Sequence, residues 1–481
     1  MMRKTLVYLF LACLNWPLLS APVIVRGQAP GAEGKVIRIQ AFSDMISYRR
    51  LTLARDTIDA TGHFALSFAL TRNAYIQLMI DFHSAEMLAE PDAEYEIHIS
   101  AFENPVFREE LNPFLEPRYL YFQLQHPEKH PLLLGLDSLN ALYESHLLEH
   151  FQRLSRGGKA AGTDTLQAHF QKKLPYLNPY LRTAVKYRVA SLEDLARADS
   201  REGLMKRYLH PDSLWYGHPD FMEFFNSFFS KYLTHLSRPI PYRELAYRVN
   251  ETRDYAEVLD LLGRDSLLVN DRIREGVLLR NLRELYYNPD FDKQAVLEIL
   301  KQMQASTRFP EHRDIAGNLI TRLHRLSRGT LPPTLPARQS NGSHIALSDY
   351  AGKYLYVQFW TSVCEACKTD WIAMQSLYPR FSEEVRFLSI SVDTEEEHFR
   401  ATLKQLDYPW DFGWFGGDYD VVDDYSLRAF PSYILLDREG KILQYPARSP
   451  ADQLDVMLGR LLSAEKRIEE SKPLPGTDER R

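Results

Sequence analysis

Short apolar segments separated by turn residues follow one another through the N-terminal part of the chain. Their apolar residues alternate or are β-branched, and Asp59-Ala60-Thr61-Gly62 has turn chemistry between two of them. We predict strands at residues 23–25, 36–42, 51–58, 64–70, 74–82 and 95–99. Strands at this spacing are typical of a small antiparallel sandwich. Residues 22–104 are therefore predicted to form a β-sandwich-like domain with a structural or docking role.

The spacing of apolar residues becomes helical after residue 104. One helix face recurs at three- and four-residue steps through Leu139, Leu142, Tyr143, Leu147, Phe151 and Leu154. Similar stretches lie at 178–190, 219–235, 265–285 and 292–326. No repeat period accompanies them, which argues against a solenoid. We predict an all-helical domain over residues 105–328, where the aromatic run ending at Phe229 forms core or, alternatively, lines a peptide-binding groove.

A third pattern begins after a proline-rich segment. Residues 329–337 contain Pro332, Pro333 and Pro336, and proline breaks regular structure, so we predict a linker there. Residues 354–360 form a nearly continuous apolar strand, and residues 368–378 have helical spacing. The charged residues 464–481 are predicted to be a disordered tail.

The N-terminus has the pattern of an export signal. Arg3 and Lys4 precede an apolar run over residues 5–14, and small residues end the segment near Ala21. The run is shorter than the roughly 20 residues of a membrane span. We predict a signal peptide over residues 1–21 and a periplasmic or cell-envelope location, with an uncleaved anchor as the alternative.

Composition argues against some classes of function. The chain has 481 residues, of which 45% are hydrophobic and 25% charged, as in soluble multidomain proteins. The net charge is −6 and no pronounced basic block is present, which argues against a nucleic-acid partner. His146 and His150 have a spacing that can bind metal, but no third ligand stands at a diagnostic distance, so we predict no metal.

Cysteine is the most informative residue type. There are three cysteines, and the first lies within the predicted signal, which leaves Cys364 and Cys367. An exported protein held together by several disulfides would contain more. A structural zinc site would need a second pair of ligands. The remaining pair therefore points to redox chemistry without a metal or an organic cofactor.

The position of this pair explains how it could react. Cys364-Glu365-Ala366-Cys367 stands where the apolar strand passes into the helical segment. The first turn of a helix has unpaired N–H groups and the positive end of the helix dipole, which stabilise a thiolate at Cys364. Cys364 can then attack a substrate disulfide, and Cys367 can resolve the mixed disulfide.

Several motifs around the pair resemble the TlpA/ResA-like extracytoplasmic branch of the thioredoxin fold. They stand in the family's order at residues 347–353, 357–367, 385–393 and 425–442. The resemblance covers about a quarter of the chain and implies a thioredoxin-like α/β domain over residues 338–463. We therefore predict a multidomain fold: an N-terminal antiparallel β domain, a central all-α domain and a C-terminal α/β thioredoxin-like domain.

The resemblance also implies roles for further residues. Pro431 corresponds to the cis-proline that faces the cysteines, which leaves the backbone of Phe430 open to pair with a substrate strand. Asp370 matches an acidic residue near the thiols and could accept the proton of Cys367 or raise the thiol pKa. The alternative is an ordinary solvated aspartate on the helix surface.

Departures from the family pattern concern redox tuning and partners. Val363 replaces the usual Trp, Glu365-Ala366 lacks proline, Phe430 is large, and Gln358 replaces the buried acid of classical thioredoxin. A carboxylate at Glu365 disfavours the thiolate of Cys364 and makes the couple less oxidising. This favours a reductant or isomerase over a disulfide donor.

The sequence thus predicts an extracytoplasmic thiol–disulfide oxidoreductase that acts on exported proteins. Its partners would be protein disulfides and a thiol electron donor, either in the membrane or in solution. One alternative is a surface binding or assembly protein that uses the thioredoxin fold for docking. Another is a thiol peroxidase, because Thr361 lies three residues before Cys364, although Val357 replaces the proline of that motif.

Overall fold

The computed structural model describes most of the chain, namely residues 22–81, 83–100, 118–156, 168, 178–210, 214–417 and 420–470. The signal peptide predicted for residues 1–21 lies outside the described residues. In the described ranges, no helix combines the length and the apolar character needed to cross a bilayer.

The N-terminal part contains two facing sheets. Their strand orders are β4-β1-β7-β9 and β3-β2-β5-β6-β8. Along β4 the exposed and buried residues alternate strictly, so one face of this strand lies in the core. The strands are β1 (Val23–Gln28), β2 (Val36–Phe42), β3 (Arg50–Thr57), β4 (His63–Phe68), β5 (Ala74–Ile80), β6 (His83–Ala89), β7 (Glu94–Ile99), β8 (Arg118–Tyr119) and β9 (Phe122–Leu124).

This arrangement corrects two predictions. The sheets are not wholly antiparallel, because β1 pairs in parallel with β7, and β6 with β8. They also extend beyond residue 104, because β8 and β9 complete their edges. Strands of two or three residues are too short to produce a readable period, so only the tertiary pairing reveals them.

The central part is helical. Its helices are α1 (Pro131–Arg156), α2 (Pro179–Leu195), α3 (Arg201–Tyr208), α4 (Pro219–Phe228), α5 (Tyr242–Tyr247), α6 (Tyr255–Leu262), α7 (Asp271–Tyr286), α8 (Lys293–Ser306) and α9 (Pro310–His324). Short π-helical turns cover Tyr232–Leu236 and Arg248–Thr252. Several helices begin at a residue whose side chain accepts a backbone N–H, namely Asn178, Ser200, Asp254, Asn270 and Asp292.

The aromatic run of α4 lies inside this helical part. Phe221, Phe224, Phe225 and Phe228 are fully buried, as is Phe229 just after the helix. Their rings contact one another at centroid distances of 4.9–5.9 Å along the run. The interpretation of these phenylalanines as core is therefore correct. The start of the aromatic run differs, because Trp215 and Tyr216 line a cavity of about 800 Å³ beside α9, and Trp215 is half exposed.

A seven-stranded mixed sheet forms the C-terminal part, with the order β11-β10-β14-β13-β12-β15-β16. The central strand β12 pairs in parallel with β13 and antiparallel with β15. The strands are β10 (Ala337–Arg338), β11 (His344–Ile345), β12 (Tyr354–Trp360), β13 (Val385–Ser391), β14 (Asp411–Trp414), β15 (Ser432–Leu436) and β16 (Ile442–Gln444). The helices are α10 (Glu365–Phe381), α11 (Glu396–Leu403), α12 (Asp420–Asp424) and α13 (Leu454–Glu470).

The predicted linker is part of this last unit. The amide of Gly329 donates to the carbonyl of Ile442, and the amide of Ile442 donates to Thr330, at 2.7 and 2.8 Å. The Tyr425 hydroxyl donates to the carbonyl of Pro333 at 2.6 Å, and Leu335 is buried. Proline composition predicts irregular backbone but not whether that backbone is packed, and here it is packed.

The predicted disordered tail is also corrected in part. Residues 464–470 belong to α13, whose Leu454 and Leu458 are fully buried. Glu465 extends this anchoring because it forms an ion pair with Arg438 at 3.0 Å. Residues 471–481 lie outside the described residues.

Ion pairs join the N-terminal and central parts to the C-terminal part. Lys35 contacts Glu395 at 2.9 Å, and Arg38 contacts Asp420 at 2.7 Å. Two further pairs involve α12, between Arg50 and Asp423 and between Arg325 and Asp424. The short helix α12 therefore receives guanidinium groups from both neighbouring parts.

Candidate functional site

Cys364 stands at the start of a helix next to the end of the central strand. Strand β12 ends at Trp360, and the Cys364 amide donates to the carbonyl of Thr361 at 3.0 Å, which forms a tight turn. Cys364 is the N-cap of α10, and its sulfur accepts the amide of Cys367 at 3.1 Å. The sulfur therefore lies at the positive end of the helix, where a thiolate is stabilised.

The two cysteines are bonded to each other. Their Cα atoms are 5.3 Å apart in the Cys364–Cys367 disulfide. Cys364 keeps 9% of its surface exposed, whereas Cys367 is fully buried. Because only the first sulfur is open to a macromolecular partner, this difference fits an attacking thiol at Cys364 and a resolving thiol at Cys367.

Pro431 lies beside this turn. The Phe430–Pro431 peptide bond is cis, and β15 begins at the next residue. In the register of β12 and β15, Ser432 pairs with Phe359, one residue before the end of β12. The sheet register therefore brings Pro431 to the strand end from which the cysteine turn departs.

Asp370 is buried rather than solvated. It retains 9% exposure and accepts a hydrogen bond from the hydroxyl of Tyr433 on β15. Burial raises the pKa of Asp370, and the hydrogen bond from Tyr433 opposes this rise only in part. The alternative of an ordinary surface aspartate is therefore wrong, since the carboxyl lies one helical turn after Cys367 in a weakly polar environment.

Gln358 connects this carboxyl to the sheet. Its side-chain oxygen accepts from the indole N–H of Trp371 at 2.6 Å and from the hydroxyl of Ser389 at 3.1 Å. Its amide nitrogen contacts the Tyr433 hydroxyl at 3.5 Å. A neutral amide, fully buried, thus occupies the position where the classical thioredoxin pattern has an acid.

Comparisons with known proteins agree with this geometry. Residues 329–445 match the model of the AhpC/TSA family. The thiol-disulfide oxidoreductase ResA of Bacillus thuringiensis subsp. konkukian is 25% identical over 126 residues, which are 26% of this chain and 72% of that protein. ResA of Bacillus subtilis (strain 168) is 28% identical over 122 residues, which are 25% of this chain and 66% of that protein. The C-terminal part is a TlpA/ResA-like thioredoxin-fold domain.

A solved structure extends over more of the chain. A thioredoxin-like protein from Bacteroides caccae aligns with 60% of this chain and 94% of its own, at 15% identity and a TM-score of 0.33. The family model covers residues 329–445, within the TlpA/ResA-like oxidoreductase domain. The N-terminal sheets and the central helices lie outside that match.

Two residues of the TlpA/ResA-like domain matter for the site and were not among the predicted ones. Asp393, just after β13, accepts from the Ser362 amide and hydroxyl, both at 2.8 Å, and so holds the turn before Cys364. Burial raises the pKa of Asp393, although hydrogen bonds from Ser391 and Ser362 oppose the rise. Tyr433 is the other, as the partner of Asp370. A carboxylate ending an apolar strand was the available signal for Asp393.

Glu365 is the most exposed of the predicted tuning residues. Its side chain is 79% exposed and forms an ion pair with Lys368, one turn further along α10, at 2.7 Å. The ammonium group offsets part of the negative charge next to Cys364. The charge of Glu365 is therefore screened by solvent and lies beside a compensating charge.

Proposed function

We propose that this protein is an extracytoplasmic thiol–disulfide oxidoreductase that reduces or isomerises disulfides of exported proteins. The observation that carries the proposal is the partly exposed Cys364 at a helix N-terminus, bonded to the buried Cys367. The matches to thiol-disulfide oxidoreductases support the same chemistry.

The first step is attack on the substrate. In the reduced protein, the Cys364 thiolate attacks one sulfur of a substrate disulfide. A mixed disulfide forms, and the other substrate sulfur leaves as a thiolate that takes up a proton. Phe430 and Pro431 would bind the substrate beside this bond, because the peptide before a cis-proline offers its backbone to an extended strand.

The second step is resolution. Cys367 loses its proton and attacks the sulfur of Cys364, which releases the second substrate thiol and forms the Cys364–Cys367 disulfide. Asp370, one helical turn away, is the candidate acceptor of that proton. Two electrons have then passed to the substrate, and an external dithiol, in the membrane or in solution, must return them.

In this proposal, Glu365 and Lys368 make small and opposite adjustments to the reduction potential of the Cys364–Cys367 pair. A carboxylate near Cys364 destabilises its thiolate, and an ammonium group stabilises it. We therefore expect a reduction potential near that of thioredoxin, about −270 mV. Glu365→Gln should make the couple more oxidising and Lys368→Gln more reducing, each by no more than about 20 mV, because exposed charges interact weakly.

The measurement is equilibration of the full chain with glutathione, followed by alkylation and mass spectrometry. A potential like that of strong oxidants, about −120 mV, would contradict the reductant role while leaving the exchange chemistry intact. Shifts of the two variants in the same direction would contradict the tuning role of Glu365. Absence of any disulfide between Cys364 and Cys367 would refute the enzyme itself.

A thiol peroxidase is the second candidate. It is supported by Thr361, which lies three residues before Cys364 and whose carbonyl accepts the Cys364 amide. Such an enzyme would consume peroxide rapidly with any small thiol as reductant. Slow peroxide turnover together with rapid reduction of a peptide disulfide would favour the exchange function.

A further inference from the structure

A charged cavity of about 580 Å³ lies where the three parts of the chain meet. The N-terminal sheet contributes residues at the start of β3, the helical part contributes α7 and α9, and the C-terminal domain contributes α12 and the segment after it. The proposed chemistry at Cys364 does not use this cavity.

Arginine dominates its lining. Among the residues that the structure describes, six arginines and three aspartates line the cavity, and no lysine or glutamate does. They are Arg49, Arg50, Arg283, Arg322, Arg325 and Arg428, with Asp420, Asp423 and Asp424. The lining therefore carries an excess of positive charge.

Each of the three aspartates forms an ion pair with an arginine. Asp423 pairs with Arg50, Asp424 with Arg325, and Asp420 with Arg38. These are the ion pairs that join the parts of the chain. The carboxylates thus serve the junction, and no ion pair joins them to the remaining arginines within the described residues.

In the described part of the chain, the hydrogen bonds of those remaining arginines go to neutral oxygens, and Arg283 also lies over the ring of Tyr48 at 5.1 Å. Arg49 donates to the side-chain oxygen of Asn318 at 2.8 Å, Arg283 to the carbonyl of Ile46 at 3.3 Å, and Arg428 to that of Leu427 at 3.3 Å. Arg322 donates to the carbonyl of Ser47. Within the described ranges, none of these four guanidinium groups forms an ion pair.

The positive charges act on one another. Burial lowers the pKa of Arg322, and repulsion from Arg283 and Arg428 lowers it further, while Asp423 offsets only part of the effect. A guanidinium group held beside like charges in a half-buried cavity gains most from an added anion.

One wall of the cavity is close in sequence to the proposed substrate-binding backbone. Arg428 and Ser426 line it, and Arg428 is two residues before Phe430, whose backbone is the proposed binding element for the substrate strand. An extended substrate segment that passes Phe430 towards Arg428 would enter the cavity within a few residues of its disulfide.

We propose that this cavity binds acidic side chains of the substrate segment that flanks the disulfide. The proposal rests on the proposed exchange function and adds a substrate class to it. Arginine recognises carboxylates with two parallel hydrogen bonds, and the four unpaired guanidinium groups come from all three parts of the chain. The N-terminal and central parts would thereby take part in substrate selection.

The test uses two disulfide peptides and the full-length protein. The peptides have the same length and differ only in four flanking residues, which are Asp and Glu in one and Asn and Gln in the other. We expect the reduced wild-type protein to react with the acidic peptide roughly tenfold faster in kcat/KM, and this ratio to fall with added salt.

Substitutions in the cavity test whether its arginines cause the preference for the acidic peptide. Arg428→Gln and Arg322→Gln should each bring the ratio of the two rates close to one, whereas Arg460→Gln, an exposed position on α13, should leave it unchanged. Arg428 is an exposed loop residue, so its variant is expected to fold even if the Arg322 variant does not. Circular dichroism checks folding in each case.

The outcomes separate this proposal from the exchange function. Equal rates for both peptides in the wild type would overturn the acidic substrate class and leave the oxidoreductase standing. A preference that survives in both cavity variants would place acidic recognition elsewhere and equally overturn the proposal. Failure to reduce either peptide would refute the exchange function itself.

Binding can also be measured without the exchange reaction. Fluorescence anisotropy of a labelled acidic peptide lacking cysteine should show that the peptide binds to the oxidised protein. That binding should weaken at least fivefold in Arg428→Gln, by the loss of one charge-assisted hydrogen bond. Unchanged affinity in this variant would contradict the assignment of the cavity.

Discussion

Asp370 illustrates how burial gives one carboxyl a chemical role. Its position on α10, three residues after Cys367, could equally have faced solvent. Contact with Tyr433 on β15 instead turns it towards the sheet. Because burial disfavours its charged form, the proton affinity of Asp370 lies closer to that of a thiol than in an ordinary aspartate.

The first prediction concerns the pH dependence of resolution. Asp370 accepts a proton only when ionised, and its raised pKa means that ionisation is completed at a higher pH than for a solvated aspartate. The resolution rate of wild type should therefore rise with pH through the pKa of Asp370. Asp370→Asn should lower this rate about 100-fold or more and remove its rise with pH. Single-turnover release of the second substrate thiol measures the rate.

Tyr433→Phe is the matched variant for this experiment. The Tyr433 hydrogen bond lowers the pKa of Asp370. Its removal should therefore shift the rise of the resolution rate to higher pH without abolishing that rise. If the resolution rate rose over the same pH range in Tyr433→Phe as in wild type, or still rose with pH in Asp370→Asn, the proton acceptor would be a different group.

Among the elements, α7 and α9 are joined by a buried polar cluster. The Glu275 carboxylate accepts from the ring of His312 at 2.9 Å and from Thr307 at 2.5 Å. The other ring nitrogen of His312 contacts the Tyr216 hydroxyl at 2.7 Å. A fully buried histidine is thus satisfied on both sides and fixes how the two helices pack.

The second prediction is a pH-dependent loss of stability in Glu275→Gln. Burial raises the pKa of Glu275, but hydrogen bonds from His312 and Thr307 outweigh it and hold the pKa below its ordinary value of 4.5. A lowered folded pKa contributes stability above pH 4.5, which is lost as the pH falls through the folded value. The variant should lose about 1–3 kcal/mol at neutral pH and progressively less below pH 4.5.

Urea unfolding followed by far-ultraviolet circular dichroism measures this difference. Glu298→Gln is the control, because Glu298 is a half-exposed glutamate on α8 that pairs with Arg253 at 3.4 Å. It should change the free energy of unfolding by less than about 1 kcal/mol at any pH. A pH-independent loss in Glu275→Gln would show that packing, and not the charge, was removed.

The elements differ in how far the sequence predicts them. The apolar run of β12 and the helical spacing after it predict the strand-to-helix turn, because both periods are long and regular. Strand β6 was not predicted, since His83, Ser84 and Glu86 interrupt its apolar pattern. The packing of residues 329–337 depends on hydrogen bonds to Ile442, and no local pattern carries information on a partner so far along the chain.

The site is predictable to a similar extent. Cys364 and Cys367 follow from their spacing and from the elements around them, and Pro431 from the family pattern. Tyr433 and Asp393 are distant in sequence from the cysteines and reach them only through the sheet register. Tyrosine is common in ordinary strands, so sequence alone gives no reason to select Tyr433, whereas the carboxylate at the end of an apolar strand was a signal for Asp393.

At the scale of the whole molecule, α12 connects the redox domain to the rest of the chain. Its aspartates pair with Arg38 and Arg50 from the N-terminal sheet and with Arg325 from the helical part. Arg38 is nearly buried, with 6% of its surface exposed, so the loss of its partner would be costly.

A third prediction concerns this junction. Asp420→Asn should weaken the contact between β2 and α12 by about 1–2 kcal/mol and increase hydrogen exchange of the amides in Val36–Phe42. Asp455→Asn, which makes the same charge change on α13 within the redox domain, should leave that exchange unchanged. Equal protection of Val36–Phe42 in Asp420→Asn and wild type would show that the ion pair does not hold the two parts together.

The hydrogen bonds between residues 329–330 and Ile442 also bear on how a partner meets the thiols. A redox centre on a long flexible tether can turn to face partners from any direction. Here residues 329–330 are hydrogen-bonded to the edge strand β16, so the redox domain cannot rotate freely about this segment. We therefore expect that only partners whose shape fits the full chain bring a disulfide to Cys364. A fragment starting at Gly329 should reduce a broader set of proteins than the full chain.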